Sequence, residues 1–246
     1  MSASYTPKAN ETRGFNMAVM VKNSGRPDSF KLDILNYGLP DTGKTFNIGR
    51  LKNMGFNPLV IACDPGGMTT LQEYNVDFVE IDKTKTAFEL IGDIYRGSFN
   101  IRQYDMVCID GASNFSYMCL KETGENSKDR RLDYAMGNID FRRLIDDVRR
   151  LPVHVFINAF ETEIKANGSV QYGAGCEGAK FSIQFTGLMN TVIRSFRYLD
   201  NDTKMYKYAL QTKHDGMHIA RERSSRCNQY EHCIEDVISK ILNIQR

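Results

Sequence analysis

One short segment limits more than any other what this chain can fold into. Residues 38–45 read GLPDTGKT and match the pattern G-x-x-x-x-G-K-[ST] at every fixed position. An apolar run precedes the segment, and a helix-like run that stops at Gly55 follows it. The glycines let successive backbone N–H groups converge on phosphate oxygens, and the positive end of the following helix attracts the same anion. The pattern therefore predicts a strand, a phosphate-binding loop and a helix in direct succession.

The same motif predicts that its polar residues contact the phosphates of ATP and a Mg²⁺ ion. We expect Lys44 to reach the β- and γ-phosphates of ATP and to take part in catalysis, and the Thr45 hydroxyl to coordinate Mg²⁺. The predicted nucleotide-binding residues of this segment are Gly38, Asp41, Thr42, Gly43, Lys44, Thr45 and Phe46.

A second Mg²⁺ ligand is predicted at Asp110. In open parallel sheets, ligands bind beyond the carboxyl ends of the strands. Residues 105–109 form an apolar run with the character of a buried strand, and Asp110 ends it. The other interpretation of Asp110 is an ordinary strand-end residue that caps the turn before Gly111.

Hydrolysis also needs a group that orients the attacking water. Asp64 ends the predicted strand 58–63, and Glu161 follows the predicted strand 153–158. The sequence alone does not show which of these two carboxylates orients the water. Each residue is also typical of an ordinary loop with no catalytic role. Asn158, at the end of the second of these strands, is a candidate for sensing the γ-phosphate.

Strands and helices alternate through the first 160 residues, which predicts a mostly parallel sheet with helices on both faces. Two hairpins are then predicted, one around Asn167-Gly168 and one around the polar turn 200–203. The predicted fold class is therefore α/β, with antiparallel hairpins toward the C-terminus. We predict a polar N-terminal arm over residues 1–29 and one domain over residues 30–246. The main predicted segments are strands at 32–37, 58–63, 76–81, 105–109, 153–158, 192–199 and 205–211, and helices at 44–54, 86–95, 138–150 and 231–241.

Composition favours a cytoplasmic protein. The 246 residues are 41% apolar and 25% charged, with a formal net charge of +2. We find no apolar run near the roughly 18 residues that a membrane span needs, and no signal-peptide pattern. The six cysteines form no C-x-x-C pair, which favours reduced thiols over a zinc site. The small net charge means that any nucleic-acid surface must come from local clustering.

Together these motifs resemble those of the RecA-like ATPases of bacteriophages, specifically the small single-strand-annealing recombinases. The resemblance covers roughly residues 30–225. It is carried by the phosphate-binding loop, by Asp64-Pro65-Gly66-Gly67 after a strand, by Asp110 and Asn158 at strand ends, and by a late Ala220-Arg221-Glu222-Arg223.

The resemblance implies a RecA-like core that binds ATP and single-stranded DNA, promotes annealing in DNA recombination, and assembles into rings or filaments. It implies that Lys44, Thr45 and Asp110 hold Mg-ATP, and that Arg221 or Arg223 reaches the ATP of a neighbouring subunit. A phage-encoded protein of this type would act in the cytoplasm of its host.

One departure from that family bears on turnover. The family usually carries a glutamate beside the paired glycines, whereas this chain has Asp64, which is one methylene shorter. This is consistent with a slow, DNA-stimulated ATPase. Two alternatives remain: a nucleotide-gated assembly protein with little turnover, and a P-loop phosphotransferase whose lid would lie in residues 129–150.

Three segments are candidates for DNA contact. Residues 111–132 are predicted to be a polar loop beyond a strand end, and the glycine-rich residues 163–180 fit either a DNA-binding loop or a plain hairpin. The last strands and tail combine cations with Tyr198, Tyr206 and Tyr208, a mixture that suits the backbone and bases of a single strand and equally suits the outward face of a hairpin.

Overall fold

The structure, a computed structural model, describes residues 31–64, 66–124, 129–166 and 168–244, without the side chains of Arg130, Ala166 and Ala179. The predicted N-terminal arm lies outside the described residues. The elements in chain order are β1 (Asp33–Gly38), α1 (Lys44–Asn53), β2 (Pro58–Ala62), a 3₁₀ helix (Gly67–Tyr74), β3 (Asp77–Glu80), α2 (Thr84–Arg96), a short 3₁₀ turn (Ile101–Gln103), β4 (Met106–Asp110), α3 (Ala112–Gly124), α4 (Arg130–Arg150), β5 (His154–Ala166), β6 (Ser169–Ala174), α5 (Ala179–Leu188), β7 (Thr191–Leu199), β8 (Tyr206–Gln211), β9 (Tyr230–Glu231) and α6 (Ile234–Leu242).

Within the described residues, nine strands form one sheet. Eight of them follow the order β3-β2-β4-β5-β1-β7-β8-β9, and β6 pairs with the far half of β5. The strands from β3 to β7 in that order pair in parallel, whereas β8 and β9 are antiparallel additions beside β7. The predicted α/β class, with a mostly parallel sheet and C-terminal antiparallel strands, is confirmed.

Both faces of the sheet are buried. Successive side chains of a strand point to opposite faces, and in the central strands both sets are largely apolar. In β1, Leu35 and Tyr37 join one core, which α2, α3, α4 and α5 cover, while Ile34 joins the other. The second core lies under α1, the first 3₁₀ helix and α6. Since the parallel strands all point the same way, their carboxyl ends form a single edge.

The prediction of a polar loop over residues 111–132 is wrong. Among the described residues of this segment, Ala112–Gly124 form α3 and residues 130–132 begin α4. Ala112, Phe115 and Cys119 of α3 are buried in the core at helical spacing of three and four residues. Polar residues and the exposed Tyr117 between these positions hide this spacing in the sequence.

Two predicted elements are longer in the structure. Helix α4 was predicted from residue 138 but begins at Arg130, where the Asp129 carboxylate accepts a hydrogen bond from the Arg131 backbone N–H. Strand β5 was predicted to end at residue 158 but continues to Ala166, where it pairs with β6 as the predicted first hairpin. The predicted loop 163–180 is thus mostly this hairpin, and it leads into α5. No helix of the described residues is long and apolar enough to cross a bilayer.

Phe141 of α4 provides a test of this packing. It is fully buried against the rings of Phe115, Phe181 and Phe185. We expect Phe141→Ala to lower the free energy of unfolding by about 3–5 kcal/mol, because it leaves a cavity that the rings cannot fill. Urea denaturation measures the change. The control is Ile139→Ala on the same helix, which is 57% exposed and should cost within about 0.5 kcal/mol.

Candidate functional site

The loop of residues 38–45 connects β1 to α1 with a backbone that requires glycine at both ends. A Cβ on Gly38 would lie 2.2 Å from the carbonyl oxygen of Ser195 on the neighbouring strand β7. Gly43 caps α1 in the left-handed conformation, with φ of 80°. Asp41 also has a positive φ, of 61°. The strand, loop and helix predicted from the motif are therefore present, with the N-terminus of α1 opening toward the loop.

Lys44 lies inside the curve of this loop. Its Nζ donates hydrogen bonds to the carbonyl oxygens of Gly38 (2.9 Å) and Leu39 (2.7 Å). The same atom lies 5.1 Å from the centre of the Phe160 ring. Burial lowers the pKa of the Lys44 ammonium, and the Asp110 carboxylate opposes that shift. The ammonium is thus held where a phosphate bound by the loop would meet it.

Thr45 and Asp110 are in direct contact. The Thr45 hydroxyl donates to Asp110 Oδ2 at 2.9 Å, and Asn158 Nδ2 donates to the other carboxylate oxygen at 2.8 Å. Burial raises the pKa of Asp110, and these two hydrogen bonds oppose the rise. A Cβ on Gly67 would lie 2.9 Å from Asp110 Oδ2, so the glycine leaves room beside the carboxylate. A hydroxyl and a carboxylate side by side are hard oxygen ligands, which fit Mg²⁺.

Six polar side chains form a hydrogen-bonded circuit that begins and ends on α1. It passes through β4, β5, β1 and β7, and five of its members are buried. Each bond links neighbouring elements, so the circuit fixes the loop helix against the strand ends. The bonds run from Thr45 Oγ1 to Asp110 Oδ2 (2.9 Å), Asn158 Nδ2 to Asp110 Oδ1 (2.8 Å), Asn36 Nδ2 to Asn158 Oδ1 (2.9 Å), Ser195 Oγ to Asn36 Oδ1 (2.7 Å) and Asn47 Nδ2 to Ser195 Oγ (3.3 Å).

A cleft of about 620 Å³ opens over the loop, and we call it the P-loop cleft. Its size falls in the range of small-molecule and cofactor sites. The structure brings together at this cleft most of the residues predicted from sequence. Those that line it are Asp41, Thr42, Gly43, Lys44, Thr45, Phe46, Asp64, Asp110 and Asn158.

The two candidate carboxylates for water activation differ in position. Asp64 lines the P-loop cleft, and its turn packs closely on Gly111, where an added Cβ would lie 3.0 Å from the Asp64 Cβ. Glu161 does not line this cleft. Its carboxylate accepts a hydrogen bond from Arg194 Nε at 2.5 Å and is only 6% exposed. The geometry therefore favours Asp64 over Glu161 as the residue that meets a bound nucleotide.

The two arginines suggested for a neighbouring subunit lie outside the P-loop cleft. Arg221 donates to the carbonyl oxygens of Thr186 and Met189, at the end of α5, and its backbone pairs with Val192. Arg223 is exposed. Of the two, Arg223 is thus the more accessible to another chain, and a role for either in a neighbouring subunit stays a prediction.

One wall of the cleft was not predicted. It consists of residues from β8 and from the segment between β9 and α6, which sheet pairing brings beside α1 although they lie more than 150 residues away in sequence. Tyr208 is 52% exposed and approaches the loop at Gly43. No residue pattern around these positions indicates that they line a cleft. The predicted hairpin placed Tyr208 on a strand, but it did not place that strand beside the loop. The added lining residues include Arg50, Tyr208, Ala209, Leu210, His232 and Cys233.

The fold and the cleft define a P-loop nucleotide-binding domain. Residues 31–224 match a family described as AAA domain, and the chain belongs to that family. The match supports the P-loop ATPase type in general. No curated protein matches the chain.

Asn158 tests the buried circuit. Replacing it with alanine leaves an Asn36 N–H and an Asp110 oxygen without their hydrogen bonds. We expect Asn158→Ala to lower the free energy of unfolding by about 1–3 kcal/mol, the cost of an unsatisfied buried group. Urea denaturation provides the measurement, with the exposed turn residue Asn201→Ala as control. An equal effect of the two substitutions would contradict a structural role for the circuit.

Proposed function

We propose that this protein is a Mg²⁺-dependent ATPase that binds single-stranded DNA and acts in recombination or annealing of the phage type, in the cytoplasm of a host cell. The observation that carries the nucleotide part is the convergence of Lys44, Thr45 and Asp110 at the N-terminus of α1. Family membership supports the same class of activity.

Each residue of the P-loop cleft has a defined task in this proposal. The loop N–H groups and Lys44 bind the phosphates, and Thr45 and Asp110 hold Mg²⁺. When bound, the metal neutralises charge on the β- and γ-phosphates. Asp64 accepts a hydrogen bond from the attacking water and orients it, and Asn158 holds Asp110 in place.

Single-stranded DNA is proposed on two grounds. One is the resemblance to annealing recombinases in the order of motifs. The other is residues 191–214, which carry five cationic side chains and two carboxylates. Exposed tyrosines, among them Tyr198 and Tyr208, lie in the same strands. Cations suit the phosphate backbone and aromatic rings suit the bases of a single strand. We further propose that the protein assembles into a ring or filament, in which Arg223 faces a neighbouring subunit.

Lys44→Ala tests the nucleotide site. Because the substitution removes a partly buried cation from the phosphate site, ATP affinity should fall by about 100-fold or more. Isothermal titration calorimetry with Mg-ATP measures this change. Lys85→Ala on α2, a largely exposed lysine, is the matched control. Unchanged affinity in a folded Lys44→Ala protein would show that ATP binds elsewhere.

Steady-state hydrolysis, with and without an unstructured single-stranded oligonucleotide, tests the DNA part. We expect slow basal turnover and stimulation by DNA. Asp64→Asn keeps the shape of the side chain but removes its basicity, so kcat should fall by about 100-fold while ATP binding persists. Full activity of Asp64→Asn would eliminate Asp64 and return the choice to Glu161.

A second candidate function is a nucleotide-gated assembly protein with little turnover. It is favoured by the ion pair between Glu161 and Arg194, because Glu161 is then engaged and the shorter Asp64 is the remaining candidate for orienting water. ATP binding and nucleotide-dependent oligomers without hydrolysis would support it. The phosphotransferase alternative is not favoured, because the proposed lid forms α4 and no α4 residue lines the P-loop cleft.

A further inference from the structure

A second cleft lies beside β7, β8 and β9, and we call it the hairpin cleft. Its volume is about 350 Å³, and its lining includes Phe196, Tyr198, Tyr230, Arg194 and Gln211. It shares only Ala209 and His232 with the P-loop cleft. None of the tasks proposed above for ATP uses it.

Strand alternation places the two clefts on opposite faces of the hairpin. Residues 194, 196 and 198 of β7 lie on one face, and residues 195 and 197 lie on the other. Ser195 belongs to the buried circuit, and Arg197 forms an ion pair with Asp41 of the phosphate-binding loop. One face of β7 therefore contacts the P-loop while the other borders the hairpin cleft.

Three aromatic rings form one wall of the hairpin cleft. The Phe196 ring lies 6.1 Å from Tyr198 and 5.8 Å from Tyr230, measured between ring centres. The Arg194 guanidinium lies 5.3 Å from the centre of the Phe196 ring. Tyr198 is 39% exposed and Tyr230 is 49% exposed. Such rings present flat apolar faces to solvent, and nucleobases stack on surfaces of this kind.

Gln211 provides a buried polar group at the same cleft. Its side chain is 1% exposed, and its Nε2 donates to the Lys213 carbonyl oxygen at 2.9 Å. Its Oε1 has no hydrogen-bond partner among the described residues. An unsatisfied buried acceptor is costly, and a ligand that donates a hydrogen bond removes that cost. The exocyclic amines of adenine and cytosine are donors, whereas thymine presents only a carbonyl oxygen at the matching position.

The carboxylates that border the hairpin cleft are already paired. Lys240 Nζ donates to both oxygens of Glu231, and His218 contacts Asp215. Three of the five cations of residues 191–214 are paired as well, Arg194 with Glu161, Arg197 with Asp41 and Lys207 with Asp200. Local charge therefore adds little, and the aromatic rings and Gln211 are the features of this cleft that favour a base.

From these contacts we infer that the hairpin cleft is a nucleobase subsite for single-stranded DNA, in which a base stacks on Tyr198 and Tyr230 and its amine donates to Gln211 Oε1. This inference rests on the proposed function and specifies where the strand binds. It places the strand on the face of β7 opposite the nucleotide.

Fluorescence anisotropy with labelled oligo-dA, oligo-dC and oligo-dT, in the presence of Mg-ATP, tests the inference. We expect wild-type protein to prefer dA and dC to dT. Tyr198→Ala and Tyr230→Ala should each weaken binding by about tenfold, because each removes a stacking surface. Gln211→Met should remove the preference for amine-bearing bases and leave dT binding in place. Tyr95→Ala, an exposed tyrosine on α2, is the matched control.

The outcomes separate the inference from the proposed function. If wild-type protein binds no oligonucleotide, the proposed DNA function fails. If wild-type protein binds and the Tyr198 and Tyr230 variants bind equally well, only the subsite is wrong. Loss confined to Tyr206→Ala, on the opposite face beside Arg197, would place the strand on the nucleotide side and overturn the inference. Loss of self-association by Tyr198→Ala and Tyr230→Ala, with DNA binding intact, would assign the cleft to a second copy of the chain. Melting temperatures of all variants control for folding.

Discussion

The buried circuit from Thr45 to Asn47 is the constraint on which the site depends. It joins α1 to four neighbouring strands through six side chains, five of which are buried. A buried donor or acceptor that loses its partner costs free energy, so these strands and the loop helix must keep one relative position. The circuit follows the strand order, since Asn158 on β5, between β1 and β4, bridges Asn36 and Asp110. The proposed Mg²⁺ ligands and the phosphate-binding loop are thereby positioned together in the folded chain.

Features that depend on a few adjacent residues were predictable from sequence. The phosphate-binding loop was predictable because its geometry requires glycine at two positions. Residue 43 has a positive φ, and residue 38 lies in close contact with a neighbouring backbone. The location of Asp110 and Asn158 at the edge of the sheet was predictable from one rule. Each ends an apolar run, and the carboxyl ends of parallel strands lie at one edge. The rule places both at the same edge but does not predict that they hydrogen bond. It also could not rank Asp64 above Glu161, because the ion pair of Glu161 with Arg194 depends on how β7 lies beside β1.

Features that depend on long-range pairing were not predictable. Helix α3 was missed because its buried residues alternate with large side chains that reach solvent, as Tyr117 does. Tyr208 and His232 were missed at the P-loop cleft because β8 and β9 are brought near α1 only through β7, which pairs with β1 in the folded sheet. The predicted hairpin included a strand of that wall, but the sequence did not show that this strand lies beside α1. Clefts formed between distant elements leave no spacing pattern in the chain.

Strand β7 links the two clefts through its period of two. Its register with β1 pairs Tyr37 with Arg194, so Ser195 and Arg197 face the phosphate-binding loop while Phe196 and Tyr198 face away. A shift of one residue would exchange these sets and destroy both surfaces. A backbone displacement at Arg197 when a nucleotide approaches Asp41 would also move Phe196 and Tyr198, because these three residues are consecutive in strand β7. Nucleotide and single strand, bound on the two faces that we propose, would influence each other through this strand without a long chain of intermediate contacts.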